Sequence, residues 1–291
     1  MTSISIDRPL LAYFDLETTE LDTTEARITE IAVQFEDKID FCSDHWDNLV
    51  NPGVPIPPQA SKVSGITDEM VKDRPGTKVQ LHKLFSYLAA VRGVLDNRSV
   101  LLIGQNGFEY DAMVLVNECK RNQVEIPDWI YIADSMWTHL KIYPEYKGSV
   151  SLAKLGDHYK VFGDDEKQTH RARGDVLLLQ KVILAGNKKE QFFEELIESK
   201  AQLNGYDWET KEKLNHTEAI ERRKAEWKER EDARKRRKEH FERYGRAYKK
   251  CANYDFCKSV APENVLFSHS GHCINCDMFK FSHKRYPEEG D

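Results

Sequence analysis

The sequence predicts a mixed α/β domain followed by a long charged helix and a small cysteine-rich module. Three observations carry that expectation. Within the first two hundred residues, short stretches of strand-like alternation give way to segments of helical periodicity. A stretch of charged helix formers with few apolar residues comes next. Four of the six cysteines then crowd the end of the chain, instead of being spread as a disulfide framework would be. A length of 291 residues holds one full-sized domain and something smaller, so the divisions are set at 1–205, 206–250 and 251–291.

The elements follow in order. Strands are expected at 10–18, 27–36 and 41–50, close together with short connections, which suits an antiparallel meander. Asn51, Pro52, Gly53, Pro55, Pro57 and Pro58 break any regular element, so an extended loop is expected there. Helices at 68–73 and 79–94 lead to a strand at 100–105, and a helix at 111–121 leads to a strand at 129–133. Strands separated by helical patterns read as parallel crossovers. Helices at 152–161, 171–184 and 189–200 complete the domain. Three strands followed by alternating helices and strands is the order of a ribonuclease-H-like mixed sheet flanked by helices.

Charge is unevenly placed. The whole chain is acidic, net −6, yet residues 211–250 hold 16 Lys plus Arg against 9 Asp plus Glu. Only the local field meets a phosphate, so an acidic body with a basic arm is compatible with nucleic acid. The segment reads as a solvated helix laced with ion pairs that links two domains. It also reads as a DNA-contacting arm centred on Lys235, Arg236, Arg237 and Lys238, and the same run has the composition of a nuclear-import signal. No apolar run approaches the roughly 18 residues a membrane span needs, and the first residues lack a secretory pattern. The expectation is a protein of the nucleus or cytoplasm with no membrane partner.

The chemistry is carried by acids. In Phe14-Asp15-Leu16-Glu17-Thr18-Thr19 the two carboxylates stand two positions apart on a predicted strand, so they share a face. Like charges side by side at the end of an apolar strand are costly unless a cation lies between them, although a solvated strand end would also accommodate the pair. Asp111 opens the helix at 111–121, where it can equally be a helix cap. Asp175 lies on the helix after His170, in His170-Arg171-Ala172-Arg173-Gly174-Asp175. Hydrolysis of a phosphodiester puts charge on the attacking water and on the leaving oxygen together. Two hard cations about 3.5 to 4 Å apart stabilise both, and such ions take oxygen ligands. The water must also lose a proton, and His170 is the one group of the set whose ordinary pKa is about 6.5.

These residues resemble the DEDDh (DnaQ-like) 3′–5′ exonucleases, the proofreading-type branch of the ribonuclease-H-like superfamily, over roughly residues 9 to 185. Phe14 through Thr19 is similar to the first motif, Asn106 through Asp111 to the second, and the His-x-Ala-x-x-Asp run from His170 to Asp175 to the third. Within the family, Asn106-Gly107-Phe108-Glu109-Tyr110-Asp111, the segment Ala60-Ser61-Lys62-Val63-Ser64-Gly65-Ile66, Ser151-Leu152 and Gly174-Asp175-Val176-Leu177 are most like the three-prime repair exonucleases. The resemblance implies that Asp15, Glu17, Asp111 and Asp175 bind two Mg²⁺ or Mn²⁺ ions and that His170 activates water. It implies that Thr18, Leu21 and Asn106 lie near the terminal nucleotide, that nucleoside monophosphates leave from DNA 3′ ends, and that a homodimer forms through an early edge strand. Two departures stand out: Gln105 where the group often has His, and Arg173 where it tends to have Glu.

Cys251-x5-Cys257 and Cys273-x2-Cys276 form two thiol pairs fifteen residues apart, a pattern able to enclose a structural tetrahedral Zn²⁺. His269 or His272 can replace one thiol. The leading expectation is a metal-dependent 3′–5′ exodeoxyribonuclease acting in DNA repair or degradation. An RNA 3′-end trimming enzyme is the alternative of the same chemistry. A non-catalytic nucleic-acid-binding protein that grips through the zinc module is the alternative of another class.

Overall fold

Strand β1 (Leu10–Thr18) lies in the middle of a six-stranded sheet of order β3-β2-β1-β4-β5-β6. The computed structural model describes residues 8–36, 44–162, 168 and 170–204, with 228, 232, 235 and 236 beyond them. Strands β2 (Ile28–Phe35) and β3 (His45–Leu49) extend the sheet antiparallel on one side of β1. Strands β4 (Val100–Gly104) and β5 (Ile130–Asp134) extend it parallel on the other side, and the two-residue β6 (Ala201–Gln202) closes the far edge antiparallel. The fold is therefore the expected ribonuclease-H-like mixed sheet flanked by helices. A meander needs only short turns, whereas each parallel return needs a helical crossover, and the chain supplies both.

The helices are α1 (Pro58–Ser64), α2 (Asp68–Val71), α3 (Thr77–Val94), α4 (Asp111–Asn122), α5 (Ser135–Ile142), α6 (Leu152–Tyr159), α7 (Ala172–Ala185) and α8 (Lys189–Glu198). Alternation along β1 divides the core. Leu11 and Tyr13 join Leu101, Ile103 and Ala133 against Val176, Leu179 and Val182 of α7, Leu155 of α6 and Phe193 of α8. Leu10, Ala12, Phe14 and Leu16 are buried on the opposite face, and α3 and α4 pack against each other. A small separate cluster of Ile56, Ile66 and Val71 roots the segment around α1 and α2.

Four elements depart from the expectation. The proline-rich run is irregular only to Pro57, because Pro58 occupies the first turn of α1, where a missing N–H costs nothing. Helix α5 starts directly after β5, and β6 is too short to carry a pattern. In the segment expected to be the third strand, residues 41–43 lie outside the described residues, and the strand itself runs from His45.

The chain divides into two units, Met1–Thr217 and Glu218–Asp291, and the sheet belongs to the first. Of the charged segment at 206–250, Lys235 and Arg236 are helical and exposed. Arg237, Lys238 and the expected zinc ligands Cys251, Cys257, Cys273 and Cys276, with His269 and His272, lie outside the described residues. Among the described residues, no helix is long and apolar enough to cross a membrane.

Candidate active site

Asp15 and Glu17 leave the C-terminal end of β1 on the face covered by α7. Helix α7 brings Asp175 to them, and one carboxylate oxygen from each of the three lies within 4.8 Å of the others. Asp111, 3% exposed at the start of α4, reaches the same strand end differently. Its Oδ1 accepts from the backbone N of Leu16, between the two β1 acids, at 3.2 Å. Residues separated by up to 160 positions thus converge on one end of one strand.

The second motif gets there through a glycine contact. A Cβ added to Gly107 would lie 3.1 Å from Cα of Gly104, and one added to Gly104 would lie 3.0 Å from Cα of Gly107. Neither position has room for a side chain, so the turn folds tightly back on the end of β4. Asn106 starts that turn at φ +62, a left-handed conformation that asparagine tolerates better than most residues. Asp134, 1% exposed at the end of β5, holds the turn from the other side. Its Oδ2 accepts from Phe108 N at 3.1 Å, while its Oδ1 accepts from Met136 N at 2.9 Å and Trp137 N at 3.1 Å, capping α5.

Burial and mutual repulsion set the electrostatics. Burial pushes Asp15 well above the usual carboxylate range, reinforced by Asp111, Asp175, Glu17 and Glu30. Burial, then Asp175 and Glu30, carry Glu17 up to about 8. Burial, with Asp134 adding to it, raises Asp111 to about 7. Asp175 is also raised by burial, against the opposing effect of the Gln168 amide, which donates to its Oδ2 at 2.6 Å. Its Oδ1 is buried with no hydrogen-bond partner among the described residues. Four crowded carboxylates that resist ionising together, one with an unused oxygen, are a donor set suited to hard divalent cations.

His170 is exposed, adopts φ +48, and precedes α7 on a left-handed turn. It lies close enough for its charge to favour ionised Asp175. Thr18 Oγ1 and the Tyr110 hydroxyl lie within hydrogen-bonding reach of each other and of Glu20 O, at 3.1 Å and 2.5 Å from it, so the two hydroxyl protons are shared among three contacts. Leu21, on the same loop, is 89% exposed. The two departures have structural partners. Gln105 Nε2 donates to Val150 O at 2.6 Å while its Oε1 accepts from Ser135, and Arg173 pairs with Asp47 of β3 at 2.9 Å.

Sequence reasoning missed Glu30, Asp134 and Gln168. The first two carried a signal, since each is a lone acid in or ending an apolar strand, Ile28-Thr29-Glu30-Ile31-Ala32-Val33 and Ile130-Tyr131-Ile132-Ala133-Asp134. Gln168, in a loop, carried none.

Residues 13–183 match the family described as Exonuclease. Exonuclease DPD1, chloroplastic/mitochondrial, of Arabidopsis thaliana is 33% identical over 177 residues, 58% of this chain and 53% of that protein. This chain therefore spans about half the length of that relative. DNA polymerase III subunit epsilon of Rickettsia prowazekii (strain Madrid E) is 26% identical over 185 residues, 61% of this chain and 75% of that one. Among solved structures, a zinc-bound complex of E. coli ExoI with single-stranded DNA shares the fold at a TM-score of 0.53 and 16% identity, covering 66% of this chain and 43% of that chain.

Proposed function

The chain belongs to the exonuclease family, and on that premise we propose that it releases nucleoside monophosphates from DNA 3′ ends by metal-assisted hydrolysis. The observation that carries this reading is the convergence of Asp15, Glu17 and Asp175 within 4.8 Å, with Asp111 bonded to the strand between the first two. In this reading the four carboxylates hold two Mg²⁺ or Mn²⁺ ions, which when bound supply a more acidic water and neutralise charge on the attacking and leaving oxygens. His170 takes the proton from the water at an imidazole nitrogen, and its exposed position lets it exchange that proton with solvent afterwards. Thr18, Leu21 and Asn106 receive the terminal nucleotide. DNA is preferred over RNA because relatives and neighbours carry DNA in their names, a DNA polymerase subunit and a nuclease bound to single-stranded DNA.

Three further parts of the proposal lie beyond the acids. Cys251, Cys257, Cys273 and Cys276 bind a structural Zn²⁺, with His269 or His272 as a substitute ligand. The half-buried edge strand β3 is the surface through which a homodimer forms. The protein serves DNA repair or degradation in the nucleus or cytoplasm, in the manner of the three-prime repair exonucleases.

The test is digestion of 5′-labelled single-stranded DNA, duplex DNA and RNA of one sequence with Mg²⁺ or Mn²⁺. A ladder shortening from the 3′ end of DNA, abolished by chelator, is expected. Faster loss of RNA would replace DNA by RNA as the substrate, and binding without shortening would favour a non-catalytic protein.

A further inference from the structure

The turn that carries His170 is fastened to β2 by a contact that the hydrolytic reading leaves unused. Glu30, 3% exposed in the middle of an apolar strand, stands opposite Glu17 in the β1–β2 register. Its Oε2 accepts from Arg171 Nε and from the backbone N of Ala172, both at 2.9 Å. Its Oε1 accepts from Arg171 Nη2 at 2.5 Å. Both oxygens are thus occupied by donors, which sets Glu30 apart from Asp175, whose Oδ1 has none among the described residues.

All three donors belong to the two residues that follow His170, and the backbone N of Asp175 donates to Arg171 O at 2.9 Å. A displacement of Arg171 therefore moves both the imidazole and the carboxylate. The left-handed turn at His170 costs on the order of 1–2 kcal/mol for a residue with a side chain, and such turns persist where neighbours over-determine them. A part-buried, forked, charge-assisted contact is strong enough to do that. Arg173, paired with Asp47 of β3 at 2.9 Å, adds a second tie from the same turn to the same side of the sheet.

We propose that Glu30, acting through Arg171, is a positioning residue that sets the first turn of α7, and with it Asp175 and His170, against Asp15 and Glu17. The inference rests on the reading of the four acids as a metal site. It differs from a mere charge effect in the sign it gives for Arg171. A cation near Glu17 opposes metal binding, so on charge alone its removal would tighten the site. If Arg171 positions Asp175, its removal loosens the site instead.

The experiment uses the full chain as wild type, Glu30→Gln, Arg171→Met, Arg171→Lys and the Glu30→Gln/Arg171→Met double variant. Mn²⁺ binding is measured by calorimetry without DNA, and kcat and KM on labelled DNA are measured in parallel. Glu30→Gln and Arg171→Met are expected to weaken Mn²⁺ binding and to lower kcat by between about ten- and a hundredfold, the range for residues that orient metal ligands, with KM changed little. The double variant is expected to be no worse than the worse single one, because the two side chains act as a unit. Arg171→Lys keeps the charge but loses the fork, and is expected to recover only part of the loss. Mn²⁺ bound by Arg171→Met as tightly as by wild type, or full recovery in Arg171→Lys, would overturn the positioning role. Circular dichroism identifies any variant that fails to fold, and the remaining ones then decide. A wild type that neither binds Mn²⁺ nor shortens DNA defeats the hydrolytic reading, whereas an active wild type with equally active variants defeats only this inference.

Discussion

Glu17 and Glu30 face each other across β1 and β2, yet they are neutralised by different means. Glu30 has a permanent cation in Arg171, while Glu17 rises to about 8, with burial as the main cause. Like charges this close demand compensation, and the unpaired side is where a cation from solution is needed. Asp15→Asn keeps the shape and removes one anionic ligand, so nucleotide release is expected to fall at least a hundredfold, with weaker Mn²⁺ binding by calorimetry. His170→Gln is expected to lower kcat by roughly 10² to 10⁴-fold, the usual worth of general acid–base catalysis, while Mn²⁺ binding stays near wild type. Release at the wild-type rate from the His170 variant would remove it as the base. The acids of the three motifs were legible in the sequence because alternation on a strand and helix spacing announce shared faces. Glu30 stood out only as a lone acid in an apolar strand, and its role was not legible because it depends on a guanidinium 141 positions away.

At the scale of elements, the turn at residues 105–110 shows how backbone fit serves chemistry. Gly104 and Gly107 approach so closely that a methyl group on either would press on the other's Cα, and Asp134 anchors the same turn through Phe108 N. Gly107→Ala is expected to displace the turn and cost about 1–3 kcal/mol by overpacking. Since Asp111 directly follows this turn and is bonded to Leu16 N, activity is expected to fall further than stability predicts. Thermal melts beside kcat will check this, and an active Gly107→Ala would show that the turn can yield. The long strands and α3, α4 and α7 were legible because apolar periodicity continued over many residues. Helix α1 was hidden by prolines that read as breakers although Pro58 suits a first turn. Helix α5 was hidden because its cap, Asp134, is also the last residue of β5, leaving no turn residues between them.

Across the whole molecule, the raised carboxylates link stability to pH and to metal. In the unfolded chain these acids titrate near pH 4, whereas burial holds Glu17 at about 8 and Asp111 at about 7, with Asp15 and Asp175 also raised. Between the two ranges the folded state binds more protons than the unfolded one, so unfolding free energy falls as pH rises through that window. The stability contributed by protonation is complete below about pH 4 and is lost as pH climbs through 7 to 8. Chelated protein is therefore expected to melt lower at pH 8 than at pH 5, by roughly 5 °C for a net loss of about 2 kcal/mol in a domain of this size. Mg²⁺ or Mn²⁺ takes over the role of the protons, so saturating metal is expected to raise Tm most at pH 8 and to flatten the slope. Asp15→Asn removes one of the opposed charges and is expected to melt higher than wild type at pH 8 without metal, while gaining less from Mn²⁺. Scanning calorimetry at the two pH values, with and without metal, reads all of these shifts. A chelated wild type whose Tm does not change between them would mean that the four acids are not held together in solution, and the proposed hydrolytic site would go with them.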